Sequence, residues 1–222
     1  MRIRRVEVEN YRGIRKLDWR IPADKKFVCL IGPGDSCKST ILDAIHMALG
    51  ERWSLSITDT DFYNANVDEP AAIRVAIADL PRDIKSHVQL GLNLSGIRAD
   101  GEWKHDPIDD YEPCVIVELA IDKDMDPVWS AYRPDDPGPL AAIGSGTRRR
   151  FSVFKVDGRI DNHLRWTKTS ALMRLTDSSH GTTTTLAAAL RAAQTAISDA
   201  VTPQMGVLTR DIGKRFCRLG CG

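Results

Sequence analysis

Apolar and polar positions alternate from the first residues of the chain. Ile3, Val6 and Val8 open it, Tyr11-Arg12-Gly13 supplies a turn, and Leu17, Trp19 and Ile21 recur at period two. That pattern predicts two short strands. Pro22-Ala23-Asp24-Lys25 marks the next turn, and Phe27-Val28-Cys29-Leu30-Ile31 is then continuously apolar, as in a strand covered on both faces. The period changes after a glycine-rich stretch. Ile41, Ile45 and Leu49 stand at i, i+4 and i+8 with Leu42 beside them, so a helix is expected over 39–49, with Gly50 placed to end it.

Further along, Ile73, Val75 and Ile77 alternate and Leu80-Pro81 closes that strand. The stretch from Arg82 to Pro113 has no clear period. Val115 to Ile121 is strongly strand-forming, and Asp122 to Pro127 turns it toward Val128 to Tyr132, which predicts an antiparallel hairpin. Arg133 to Gly146 holds three prolines and three glycines and reads as a loop. Phe151, Val153 and Lys155-Val156 suggest another strand, followed by a tight turn at Asp157-Gly158. Thr184 to Ala200 is alanine-rich, with Leu186, Leu190, Ala193 and Ile197 on one helical face. Cys217 to Gly222 follows no such pattern, an ending expected of a fragment.

Composition changes this picture little. The 222 residues are 42% apolar and 27% charged with a net charge of +1, the balance of an ordinary globular protein with no bulk attraction to nucleic acid or membrane. No apolar run approaches the roughly 20 residues that cross a bilayer, and the basic N-terminus lacks the apolar stretch of a signal peptide. Of five cysteines, Cys29 and Cys114 sit in apolar runs that suggest buried thiols. Cys217 and Cys221 are spaced as a metal pair without a second pair to complete four ligands. A reducing, cytoplasmic setting is expected.

The glycine-rich stretch carries the chemistry. Gly32-Pro33-Gly34-Asp35-Ser36-Cys37-Lys38-Ser39-Thr40 meets G-x-x-x-x-G-K-[ST] at every defined position but one. Such a loop cradles phosphate with backbone N–H groups at a helix N-terminus, with a lysine for the β and γ phosphates and a hydroxyl for Mg²⁺. Lys38 and Ser39 fill those two places. The mismatch is Cys37, where glycine avoids both crowding and backbone restriction. A strand before and a helix after favour a phosphate site over a bare turn.

Other polar groups weigh less. Arg148-Arg149-Arg150, with Arg165, Trp166 and Lys168, could meet nucleic acid, but at this net charge a solvated surface run is favoured. Asp124-Met125-Asp126 has a D-x-D spacing yet reads as a solvated turn. His105 and His163 stand in polar surroundings as surface residues, and Ser178-Ser179-His180 is no triad.

Val8 to Ile14, then Cys29 to Ser36, then Ser39 to Ile45, resembles the RecF/SMC-like branch of ABC-type ATPases, nearest to the ATPase region of OLD-family ATP-dependent nucleases. The distinctive part spans about the first 80 residues. The resemblance implies an α/β P-loop NTPase fold, an ABC-type head with an inserted antiparallel β-region and a helical C-terminal part. It divides the chain into an ATP-binding core over 1–81, a β-subdomain over 82–166 and a helical segment over 167–222. It implies ATP and Mg²⁺ as ligands, Gly32 to Thr40 and Arg12 near the nucleotide, Ser39 on the metal, and a head-to-head homodimer with a role near DNA. Asp61-Phe62-Tyr63 falls where such chains run toward the β-region. No Ser-Gly-Gly signature and no Toprim segment are visible, and Val115 to Glu118 lacks the paired acid of a Walker B strand. A non-hydrolysing nucleotide-binding module is therefore the alternative, and a small-molecule kinase is disfavoured by the antiparallel insertion.

Overall fold

The structure, a computed structural model of the chain, describes residues 1–52, 54–108, 110–135, 141–151 and 153–156, and beyond these only 163–164, 170–172, 188–189, 191–193 and 195–196. The chain divides into two compact units, Met1–Lys155 and Val156–Gly222. The first contains all the named strands and helices. In the second, residues 191–193 and 195–196 are helical and the Thr195 hydroxyl donates to the Arg191 carbonyl at 2.9 Å, within the helix expected over 184–200. Residues 188–189 are helical too, and the other residues of 184–200 lie outside the described ones. So do Asp157-Gly158, Arg165, Trp166, Lys168, Ser178 to His180 and the Cys217/Cys221 pair.

The alternating N-terminal pattern produces β1 (Arg2–Tyr11) and β2 (Ile14–Arg20), an antiparallel hairpin in register from Arg5↔Arg20 to Tyr11↔Ile14. β3 (Ala71–Ala78) pairs on the other edge of β1, and β6 (Glu112–Ile121) pairs antiparallel on β3 from Ala71↔Ile121 to Ile77↔Val115. The sheet thus joins strands from both sides of residue 81. The predicted hairpin is present, with β7 (Pro127–Tyr132) on β6, and β8 (Ala141–Ala142) is added within the expected loop. The unpatterned stretch holds two short helices, α2 (Arg82–Lys85) and α3 (Val88–Gly91), and short strands β4 (Ser95–Ile97) and β5 (Trp103–Lys104). Every pairing among the described strands is antiparallel.

Period-two alternation sorts the two faces. Val6, Val8, Ile73, Val75, Ile77, Val117 and Leu119 form one core with the helix α1 (Lys38–Leu49), which lies over β1, β3 and β6. α1 buries Ala44, Ile45, Ala48 and Leu49, whereas Leu42 is exposed. The opposite face is smaller and is built on Ala76, Ala78, Ile97, Cys114 and Ile116. Beyond it runs an ionic row in which Arg74 meets Glu7, Glu9 and Glu118, and Arg5 meets Glu7 and Asp18. Cys114 is fully buried, and burial pushes its thiol up to about 12.

Several expectations are corrected. Phe27 to Ile31 is no strand; Phe27 is 82% and Ile31 90% exposed, and Cys29 is exposed with them. Apolarity records what a segment can bury, but a strand forms only where a neighbour completes its hydrogen bonds, and none of the described strands pairs with this run. Gly50 does end α1, yet with φ −65° rather than in the left-handed region. A Cβ there would come within 2.5 Å of the His46 carbonyl, so closeness selects the glycine. In place of the strand expected from Phe151 to Val156 there is a 3₁₀ turn over Arg149–Phe151, with Phe151 buried in the core, and residues 153–156 form no regular element.

Arg148 overturns its reading as a solvated cation. It is 1% exposed, stacks on Trp129 at 3.8 Å, and donates to the carbonyls of Gly50, Ile143 and Arg52 at 2.9, 3.1 and 2.6 Å. Burial lowers its pKa to about 10. It sits at the C-terminal end of α4 (Ser145–Arg148), while Arg149 and Arg150 remain exposed.

Candidate nucleotide-binding site

α1 starts at Lys38, directly behind the glycine loop, so Lys38, Ser39 and Thr40 form its first turn. The first helical bond runs from the Ile41 N–H to the Cys37 carbonyl at 2.9 Å. A free helix N-terminus with its positive dipole end faces the loop, the requirement for holding an anion. Within the loop the Ser36 hydroxyl donates to the Pro33 carbonyl at 2.9 Å. Lys38 Nζ folds back to donate to that same carbonyl and to Ser36 Oγ at 2.8 Å. A Cβ on Gly32 would stand 3.0 Å from Ser36 Oγ, whereas one on Gly34 would meet nothing. Gly32 therefore keeps the base of the loop tight.

Cys37 caps α1 with φ 58° and ψ 14°, in the left-handed region. This is the conformation that glycine adopts freely and that costs an L-residue about 1–2 kcal/mol. Asp35, two residues earlier, is left-handed as well at φ 56°. The loop thus has the backbone of a glycine motif with a cysteine at the critical turn. Gly13 explains where the extra side chain goes: a Cβ on Gly13 would lie 2.7 Å from Cys37 Sγ. The β1–β2 turn is seated on the cysteine, and only a residue without a side chain fits.

Arg12 belongs to the same turn and has φ 47°. Its backbone N–H donates to the Asp61 carbonyl at 2.8 Å, and Tyr11 bridges to Phe62, which ties the hairpin to the 59–62 turn. Its guanidinium divides between two carboxylates, with Nε on Asp61 Oδ1 at 2.8 Å and Nη1 on Asp43 Oδ2 at 3.1 Å. Asp61 in turn accepts the Thr58 N–H at 3.1 Å. Burial opposes the charge on Arg12, but the bond to Asp61 and the charges of Asp61 and Asp43 outweigh it and hold its pKa above the usual value. Asp43 Oδ1 is taken by Lys155 Nζ. Asp43 stands one helical turn beyond Ser39 on the same face of α1, with its side chain leaning toward the loop.

Sequence reasoning placed Gly32 to Thr40 and Arg12 together without specifying how. The sequence marks Asp61 without giving it a part in this cluster, and the parts of Asp43 and Lys155 escaped it. The spacing of Asp43 from Ser39 was a readable signal; the partnership of Lys155, more than a hundred residues away, was not. Asp124 and Asp126 are exposed in the turn between β6 and β7, as expected, and no cluster of three metal-ligating side chains occurs among the described residues. Glu118, the acid nearest in pattern to a Walker B, lies within β6 and pairs with Arg74 Nε at 2.7 Å.

Residues 1–80 match the family model described as an AAA ATPase domain. No curated protein matches the chain. A solved structure from work on the structural biochemistry of ATP-driven dimerization and DNA stimulated activation of SMC ATPases is similar at 15% identity and a TM-score of 0.46, over 80% of this chain and 99% of that one. No described helix is long and apolar enough to cross a membrane. The likeness to an AAA ATPase domain thus covers the first 80 residues, the part that contains the glycine loop, Arg12 and Asp43.

Proposed function

We propose that the chain is the ATP-binding module of an OLD/RecF/SMC-like ATPase. Gly32 to Ser36 wraps the β-phosphate, Lys38 serves the β and γ phosphates, and the Ser39 hydroxyl takes Mg²⁺. One observation carries the reading: Lys38 Nζ rests on the Pro33 carbonyl and Ser36 Oγ of its own loop, at the N-terminus of α1. An ammonium satisfied by loop oxygens can exchange them for phosphate oxygens with little rearrangement. Mg²⁺ asks little more of the protein, since it keeps several waters and takes the rest of its shell from phosphates. The match of residues 1–80 to an AAA ATPase domain supports the same ligand.

In this reading two heads meet with ATP between them in a cytoplasmic, DNA-associated process such as repair or phage defence. Hydrolysis then depends on a Walker B acid and a signature segment outside the described site. A second reading, a non-hydrolysing nucleotide-binding module, is favoured by two features: Cys37 at the glycine position and the engagement of Glu118 with Arg74.

Calorimetric titration of the full chain with ATP and Mg²⁺, beside Lys38→Ala, tests the shared core of both readings, and undiminished binding by the variant would refute both. Phosphate release separates them. Turnover that appears when a longer relative is added supports the ATPase reading, and ATP bound without turnover under all conditions supports the second.

A further inference from the structure

The ion cluster on α1 has an uneven form. Asp43 gives one carboxylate oxygen to Arg12 and the other to Lys155, and Arg12 is also anchored through Nε to Asp61. The Arg12 side chain is 39% exposed and that of Lys155 43%, so both cations remain in reach of solvent and of a ligand at the loop. Lys155 reaches Asp43 at the end of a segment that begins under the other end of α1, where Arg148 holds the Gly50 carbonyl. The segment is fixed midway by the buried Phe151 and by Val153 against the core. Through Asp43, Lys155 is thereby held one helical turn from Ser39. His46, also on α1, feels the same charges, with Lys155 and Arg52 disfavouring its protonation and Asp43 favouring it.

A carboxylate shared in this way binds each cation less well than it binds one alone. Arginine prefers to take both oxygens side by side, and Lys155 denies it the second while repelling it as a like charge. We propose that Asp43 and Lys155 are positioning residues of the nucleotide site: Asp43 competes with the triphosphate for Arg12, and Lys155 weakens that competition. The proposal rests on the reading of Gly32 to Thr40 as the phosphate site. It makes removal of the two partners act in opposite directions, which a purely architectural ion pair would not.

The test is the dissociation constant for ATP and Mg²⁺ at fixed ionic strength, measured on the full chain for the wild type, Asp43→Asn, Lys155→Met and Arg12→Ala. The two combinations with Arg12→Ala complete the set. D43N is expected to bind ATP about two- to fivefold more tightly and K155M weaker by a like factor, the range of a partly exposed charge pair. Neither change should alter affinity further once Arg12 is alanine. D43N and K155M shifting affinity in the same direction, or keeping their full effects beside R12A, would overturn the proposal while ATP binding by the wild type leaves the phosphate site standing. Absence of ATP binding in the wild type would overturn both. Lys155 is a half-exposed side chain, so K155M and its R12A combination decide the matter even if D43N unfolds.

Discussion

Cys37 and Gly13 form a pair whose meaning lies in their contact. Cys37 holds a left-handed backbone, and its sulfur fills the space where a Gly13 side chain would be. Gly13→Ala should therefore destabilise the fold by about 1–3 kcal/mol through overpacking against the sulfur. Cys37→Gly should stabilise it by about 0.5–1 kcal/mol, since relief of the left-handed strain is partly offset by a freer unfolded chain. In the double variant most of the Gly13→Ala penalty should vanish. Urea unfolding of the four proteins measures that coupling, and additive effects would show the two sites to be independent. His46 permits a second prediction at this scale. Burial first, then the charges of Lys155 and Arg52, lowers its pKa below 6.5, against the opposing pull of Asp43. Its Nδ1 is buried without a hydrogen-bond partner among the described residues. A depressed pKa means that the unfolded chain binds the proton more readily. The contribution is thus present above pH 6.5 and lost as pH falls through the lowered value. Unfolding free energy should decline between pH 7 and 5 more steeply for the wild type than for His46→Gln.

At the scale of elements, α1 is held at both ends. Its N-terminal turn carries Lys38 and Ser39, and its C-terminal carbonyls are gathered by the second half of the sheet. Trp129 Nε1 donates to the Met47 carbonyl at 3.2 Å, and Arg148 closes over Gly50 and Arg52. Tyr11 adds a contact from β1, its hydroxyl to Met47 Sδ at 3.0 Å. Replacement of Arg148 by methionine keeps bulk over Trp129 but strands three carbonyls in a buried site. It should lower stability by about 2–4 kcal/mol, read as a reduced urea midpoint. Arg149→Met, at an exposed neighbour, should change stability by less than about 0.5 kcal/mol. Equal effects at the two positions would remove Arg148 from its place as the anchor of α1.

Across the whole molecule, legibility followed the range of the interactions. β1, β2 and β3 were readable from alternating apolar positions, β6 and β7 from two strand-forming runs joined by a turn, and α1 from its 3.6 period. The loop was readable because phosphate chemistry constrains adjacent residues. Phe27 to Ile31 misled because a covered strand and an uncovered apolar run have the same composition. Arg148 misled because its place among two other arginines suggests solvent, and only the fold brings three carbonyls to it. Asp43 shows the intermediate case: its helix face was predictable, its two cations were not. The proposed function requires the loop from Gly32 to Thr40 to hold a nucleoside triphosphate through Lys38. Its most direct measurement is calorimetric titration of ATP and Mg²⁺ into the wild type and Lys38→Ala, with folding of both verified by circular dichroism. Saturable binding by the wild type and a loss of at least about tenfold in the variant, the size of a charge-assisted contact worth about 1.4 kcal/mol or more, is predicted. Equal affinity in the two proteins, or no binding by a folded wild type, would contradict it.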